Sequence, residues 1–96
     1  MSKTFFKEYF KFMQAGMESV NKDDLIVAAE TIQAVSQKGN KLIIAGNGGS
    51  AAMASHVSVD FTKAAGIRAV NFNEADLLTC FANDYGYERV FEKAVE

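Results

Sequence analysis

The chain contains no proline, one cysteine and one histidine in 96 residues, and no excess of positive charge. Without proline, nothing in the sequence forces a helix to break or locks a rigid turn, which suits a helix-rich chain with compact connections. A single cysteine, Cys80, cannot close an internal disulfide, so a disulfide-stapled scaffold is excluded. A net charge of −2 with scattered basic residues argues against a nucleic-acid footprint. No apolar run approaches the length of about 18 residues that a membrane span needs. The N-terminus carries Phe and Lys at helical spacing where a signal peptide would carry an apolar core. A cytoplasmic setting is the expectation. What the chain does have is apolar content, 49% of its residues, which places it among folded domains and allows one small domain. It has no repeat, linker or low-complexity segment.

The apolar residues Phe6, Tyr9, Phe10, Met13, Met17 and Val20 recur at three- and four-residue steps, which predicts a helix over 4–20. Phe5 and Phe12 lie off that stripe and leave more aromatic surface than one helix needs. Either the surplus packs in a core or it meets another chain. Asn21 is a predicted cap for a second helix, with Asp23 and Asp24 in its first turn and Gly39 as its stop. Leu25, Ala28, Ala29, Ile32 and Val35 form the predicted apolar face. Residues 41–45 read as a continuously apolar strand, as a parallel strand covered on both faces would. A helix over 51–65 follows, with Ser50 as its cap and Gly66 as its end. Residues 67–72 read as a second strand. Asn73 is the expected cap of a short helix bearing Leu77, Leu78 and Phe81. Residues 83–87 read as a loop, and 88–95 as helix. Strand-helix-strand implies a parallel pair with a right-handed crossover. Two such strands do not make a self-sufficient sheet, so part of a larger α/β domain, or a chain completed by another copy, is expected.

The run Gly46-Asn47-Gly48-Gly49-Ser50 joins the first strand to the third helix. Glycines let the backbone approach a ligand closely, and the first helical turn offers free N–H groups to an anion. A phosphorylated or acidic small molecule is the implied ligand. The spacing fits neither the G-x-G-x-x-G dinucleotide fingerprint nor a P-loop. Asn47 and Ser50 either hydrogen-bond a ligand's oxygens or only shape the turn and cap the helix. His56 and Asp60, four apart, are stacked neighbours on a predicted stripe of Met53, His56, Val57, Asp60, Phe61 and Ala64. Such a pair either shares a metal ion or a proton, or only fixes helix geometry. Two ligands do not complete a zinc site. In an open α/β sheet ligands bind beyond the carboxyl ends of the strands, where the glycine loop and residues 71–74 should meet. Asp84 follows the short helix and suits either sugar hydroxyls or a surface turn. Cys80 is expected as a small buried hydrophobe.

These residues match a pattern. Gly46-Asn47-Gly48-Gly49-Ser50-Ala51-Ala52, His56 six residues beyond Ser50, and Ala82-Asn83-Asp84-Tyr85-Gly86-Tyr87-Glu88 resemble the sugar isomerase (SIS) domain of phosphoheptose isomerases. The resemblance covers essentially the whole chain and about the first half of a typical member. It implies a flavodoxin-like three-layer α/β sandwich with a parallel sheet, of which the N-terminal half is present. Residues 1–39 would be the N-terminal helix pair and 40–96 the first part of the parallel core. It implies a homotetramer assembled through the N-terminal helices, which would employ the surplus aromatics. By resemblance, Asn47, Gly48, Gly49, Ser50 and Asp84 line a sugar-phosphate site, and His56 is a zinc ligand. The position of Asp60 normally carries a glutamate that is both zinc ligand and catalytic base. Asp60 is one methylene shorter. The family's Ser/Thr-rich phosphate loop and its later Gln and His ligands fall outside these residues.

The expected reaction is aldose–ketose isomerisation of sedoheptulose 7-phosphate to a heptose 7-phosphate, for bacterial lipopolysaccharide or capsule heptose. Little or no turnover is expected from the 96 residues alone. The rival expectation is a non-catalytic module that binds sugar phosphates or serves protein assembly. Neither a nucleic acid nor a membrane is an expected partner.

Overall fold

The computed structural model describes residues 2–96. In chain order these form α1 (Lys3–Glu18), α2 (Lys22–Gln37), β1 (Leu42–Ile44), α3 (Gly49–Asp60), β2 (Ala69–Asn71), α4 (Ala75–Tyr85) and α5 (Val90–Val95). A π-turn at Phe61–Ala65 extends α3, and a 3-10 turn at Tyr87–Arg89 leads into α5. The class is α/β, in the predicted order of elements. The chain forms two compact units, one ending at Thr31 and the other spanning Ile32–Glu96.

In the first unit, Ser2 Oγ caps α1 by accepting from the Phe5 N–H at 3.3 Å. Along α1, Phe5 stacks on Tyr9 with ring centroids 6.0 Å apart, and Phe6 lies 6.4 Å from Phe10. All of these rings remain exposed. Asn21 caps α2 as predicted, its Oδ1 accepting from the Asp23 and Asp24 N–H groups at 2.9 and 3.2 Å. Gly39, at φ +75°, closes the end of α2, also as predicted.

In the second unit β1 and β2 pair in parallel, Leu42 opposite Ala69, Ile43 opposite Val70 and Ile44 opposite Asn71. Both strands are shorter than the runs 41–45 and 67–72 suggest. Each has one neighbour, so residues beyond the three-rung ladder have no pairing to hold them extended. For the same reason the continuous apolar run of β1 is not covered on both faces: Ile43 stays 44% exposed. Helix α3 lies against both strands. The face it turns inward differs from the predicted stripe. Ala54 and Ser58 are buried, whereas Met53 is 68% exposed. Small side chains let the helix approach the strands closely. Ser58 is satisfied there because its hydroxyl donates to Ser55 O at 2.8 Å and accepts from Asn71 Nδ2 at 3.1 Å. Counting apolar residues therefore selects the wrong face. The π-turn ends at Gly66, φ +65°, where the Ile67 N–H returns to Phe61 O at 3.0 Å.

Helix α4 runs through Asn83, Asp84 and Tyr85, where a loop is predicted. The turn is concentrated in Gly86, at φ +92°, whose N–H closes on Ala82 O at 3.0 Å. One glycine suffices to end the helix, so the turn-forming Asn83 and Asp84 stay helical. The helix predicted over 88–95 correspondingly begins at Val90, which is 2% exposed and anchors the segment.

Candidate functional site

Leaving β1, the chain passes through Ala45 and the glycine run into α3. A Cβ on Gly46 would stand 2.6 Å from the Ser50 carbonyl carbon and oxygen, so only glycine fits there. Gly48, at φ +56°, is the residue before the helix, and α3 begins at Gly49. Ser50 is therefore not the cap that the sequence predicts. Two successive glycines let the helix start earlier, and Ser50 falls in its first turn, its N–H donating to Asn47 O at 3.0 Å. This releases the Ser50 hydroxyl from capping and leaves it at the surface. Among the described residues, the Gly48 and Gly49 N–H groups have no hydrogen-bond acceptor. They open a twelve-residue helix and are available to an anion.

The end of β2 meets this loop, as the parallel topology requires. Asn73 does not cap α4; Glu74 takes that position without a side-chain bond. Instead Asn73 Nδ2 donates to Gly46 O at 2.6 Å, and the Asn73 N–H donates to Asn71 Oδ1 at 3.1 Å. Through Asn71 and Ser58 the same chain of bonds reaches α3. The glycine loop is thereby tied to the second strand and the helix at one edge. Asn73 Oδ1 is buried there without a partner among the described residues.

A second tie comes from the far end of the chain. The Tyr87 hydroxyl donates to Asn47 Oδ1 at 2.6 Å, across forty residues of sequence. The sequence places Tyr87 in a telling segment but assigns it no task, and it mistakes Asn73 for a cap. In both cases the usable signal is a polar side chain close after a strand or helix end at the carboxyl edge.

His56 and Asp60 meet, Nε2 to Oδ2 at 3.4 Å, on the outer face of α3. They are 78% and 56% exposed, so neither is a buried structural ion pair. A tetrahedral zinc with bonds of about 2.0–2.1 Å would hold its ligand atoms about this far apart. Two corners of such a site fit. No group of three or more His, Cys, Asp or Glu able to hold a metal occurs among the described residues. By themselves these two residues supply fewer than the three or four protein ligands that a zinc site takes.

Asp84 is not brought to the loop by a hydrogen bond. It sits in the last turn of α4, where Oδ2 lies 3.7 Å from Cys80 Sγ and Oδ1 accepts from Asn83 Nδ2 at 3.2 Å. Cys80 is exposed rather than buried, because α4 turns Leu77, Leu78 and Phe81 toward its neighbours instead. The negative charge of Asp84 is the main cause that pushes the Cys80 thiol up, with some desolvation and the hydrogen bond adding to it. A groove of about 230 Å³ lined by Ser58, Val59, Thr62, Lys63 and Ala69 lies on the flank of α3, and holds no predicted site residue.

Residues 5–95 match the SIS domain family. The chain is 38% identical to the phosphoheptose isomerase of Roseiflexus sp., over 75% of this chain and 40% of that protein. It is 41% identical to the phosphoheptose isomerase of Helicobacter pylori strain HPAG1, over 88% of this chain and 46% of that protein. Its structure is similar to that of phosphoheptose isomerase from Neisseria gonorrhoeae, with a TM-score of 0.79 at 32% identity, covering 96% of this chain and 50% of that one. The chain thus spans about half the length of the relatives it matches. A family match over nearly all residues, an α/β structure that superposes on a solved relative, and the glycine loop at the carboxyl edge agree: the chain belongs to the SIS domain family.

Proposed function

We propose that this chain provides the glycine-loop part of a phosphosugar site in a phosphoheptose isomerase, interconverting sedoheptulose 7-phosphate and a heptose 7-phosphate for bacterial lipopolysaccharide or capsule heptose. The observation that carries this reading is the β1–loop–α3 connection, which presents Asn47, two free glycine N–H groups, Ser50, His56 and Asp60 from one continuous segment. Along the helix axis Ser50 lies about 9 Å from His56 and about 15 Å from Asp60. A ligand that touches both groups must be elongated, as an open-chain seven-carbon sugar phosphate is. Asp84 is placed among the sugar contacts by resemblance alone.

In the isomerisation a base removes the proton from the carbon beside the carbonyl, leaving an enediolate. The same proton, or one from solvent, is then delivered to the former carbonyl carbon, while the neighbouring hydroxyl gives up its proton and the former carbonyl oxygen gains one, so the carbonyl has moved by one position. Asp60 is the base in this reading, and His56 beside it steadies the carboxylate. Zinc, when bound, would supply charge stabilisation at the reacting oxygens, with His56 and Asp60 as two of its ligands. A base must lie within hydrogen-bond reach of its proton, and about 1 Å of misplacement costs on the order of 100-fold. The short Asp60 side chain and the two-member ligand set predict little or no turnover by the 96-residue chain. A homotetramer joined through the N-terminal helices α1 and α2 and a cytoplasmic setting complete the proposal.

Calorimetric titration of the chain with sedoheptulose 7-phosphate and with unphosphorylated sedoheptulose tests the reading. Binding that requires the phosphate supports it; equal affinity, or none, overturns it. The exposed His56–Asp60 pair, with no third ligand among the described residues, favours a second reading, a non-catalytic sugar-phosphate module. Zinc-independent binding with no turnover supports that module. Zinc-dependent turnover lost in Asp60→Asn supports the enzyme and contradicts the expected inactivity.

A further inference from the structure

We propose that Tyr87 is a positioning residue that fixes the side-chain amide of Asn47, so that the glycine loop offers a ligand donors rather than an acceptor. The inference deepens the phosphosugar reading and rests on it for the identity of the ligand. Tyr87 is 62% exposed, so burial is not its main contribution. What distinguishes it is the hydroxyl, which donates to Asn47 Oδ1 at 2.6 Å. Tyr87 is delivered to that point by two features on either side. Gly86 turns the chain at φ +92°, and Val90, buried three residues on, holds the segment down. The Arg89 N–H closes the turn on Gly86 O at 3.1 Å.

An asparagine amide can present either its oxygen or its NH2 group by rotating half a turn. With Oδ1 engaged by a hydroxyl donor, Nδ2 is left with two donors and has no partner among the described residues. Those donors stand beside the free N–H groups of Gly48 and Gly49 in sequence, and all have the same sign of partial charge. Such a row of donors suits the acceptor oxygens of a phosphate or of a sugar carbonyl. Were the amide free to rotate, half of its orientations would turn an acceptor toward an anionic ligand. Tyr87 therefore contributes to affinity through Asn47 without touching the ligand.

The test has two arms on the full 96-residue chain. In the first, with no ligand, the Asn47 side-chain amide resonances are compared between wild type and Tyr87→Phe by 15N NMR. Resonances that move toward the free-asparagine position while the remaining amides hold uphold the proposal; an unchanged Asn47 amide overturns it. In the second, sedoheptulose 7-phosphate affinity is measured for Tyr87→Phe, Asn47→Ala and the double variant. Loss of one hydrogen bond's worth of orientation predicts a weakening of about five- to tenfold for Tyr87→Phe. No further weakening is predicted in the Asn47→Ala background. Losses that add overturn the proposal, because Tyr87 would then act independently of Asn47. Asn47→Asp keeps an acceptor for Tyr87 and lacks the donors, and should bind more weakly than Tyr87→Phe. Absence of wild-type binding would sink the phosphosugar reading, and the first arm would still decide whether Tyr87 orients Asn47.

Discussion

Gly46 and Gly16 have the same side chain and opposite reasons for it. A Cβ at Gly46 would collide with the Ser50 backbone, whereas one at Gly16 on α1 would meet nothing within 4 Å. Gly46→Ala should therefore destabilise the fold by about 1–3 kcal/mol through forced backbone movement. Gly16→Ala should stabilise by about 0.4–1 kcal/mol through the unfolded chain. Urea unfolding of the two variants checks the contrast, and equal effects would contradict it. Cys80 and Asp84 give a second residue-scale prediction. A neighbouring carboxylate disfavours the thiolate, so Asp84→Asn should lower the Cys80 thiol from its raised position toward its ordinary range. Iodoacetamide should then alkylate Cys80 faster at mildly alkaline pH; an unchanged rate would show that Asp84 does not govern the thiol. At this scale the glycine run was legible as the turn that joins a strand to a helix, because three glycines in four residues continue neither element. Ser50 as cap was not, since a serine and a glycine serve equally as helix starts and only the backbone path decides between them.

Helix ends were mostly readable from single residues, and helix faces were not. Asn21, Gly39 and Gly66 stand where the sequence puts them, each for a local reason that needs no neighbour. Helix α3 is different, because its inward face depends on how closely it must approach the two strands. Ala54 and Ser58 face inward for size, and Ser58 brings its own hydrogen-bond partners. Helix α4 outlasts its turn-forming residues because Gly86 alone sets the stop. Ser58→Ala tests the α3 account. It keeps the small size and removes the acceptor for Asn71, leaving a part-buried amide unsatisfied. The expected cost is about 1–3 kcal/mol in urea unfolding. The glycine-loop amides should also shift, since Asn71 and Asn73 link Ser58 to Gly46 O. A neutral substitution with unmoved loop amides would contradict the proposed tie.

For the molecule as a whole, the parallel strand pair and its crossover helix followed from the strand-helix-strand pattern. Coverage of the strands did not, because a continuous apolar run predicts two covered faces and the described residues supply less than that. The surplus aromatics of α1, Phe5 and Phe12, remain at the surface, as do Phe6 and Phe10 of the predicted stripe. If α1 carries the proposed assembly, light scattering should report a discrete oligomer that Phe6→Ser with Phe10→Ser reduces in mass. An unchanged mass would remove α1 from the interface. The central claim is that the glycine loop after β1 receives the phosphosugar. Its most direct test is a backbone amide map of the chain titrated with sedoheptulose 7-phosphate, using unphosphorylated sedoheptulose as control. Saturable, phosphate-dependent shifts centred on Gly48, Gly49 and Ser50 are predicted. Shifts spread over the surface, or confined to the groove beside Thr62 and Lys63, would contradict it.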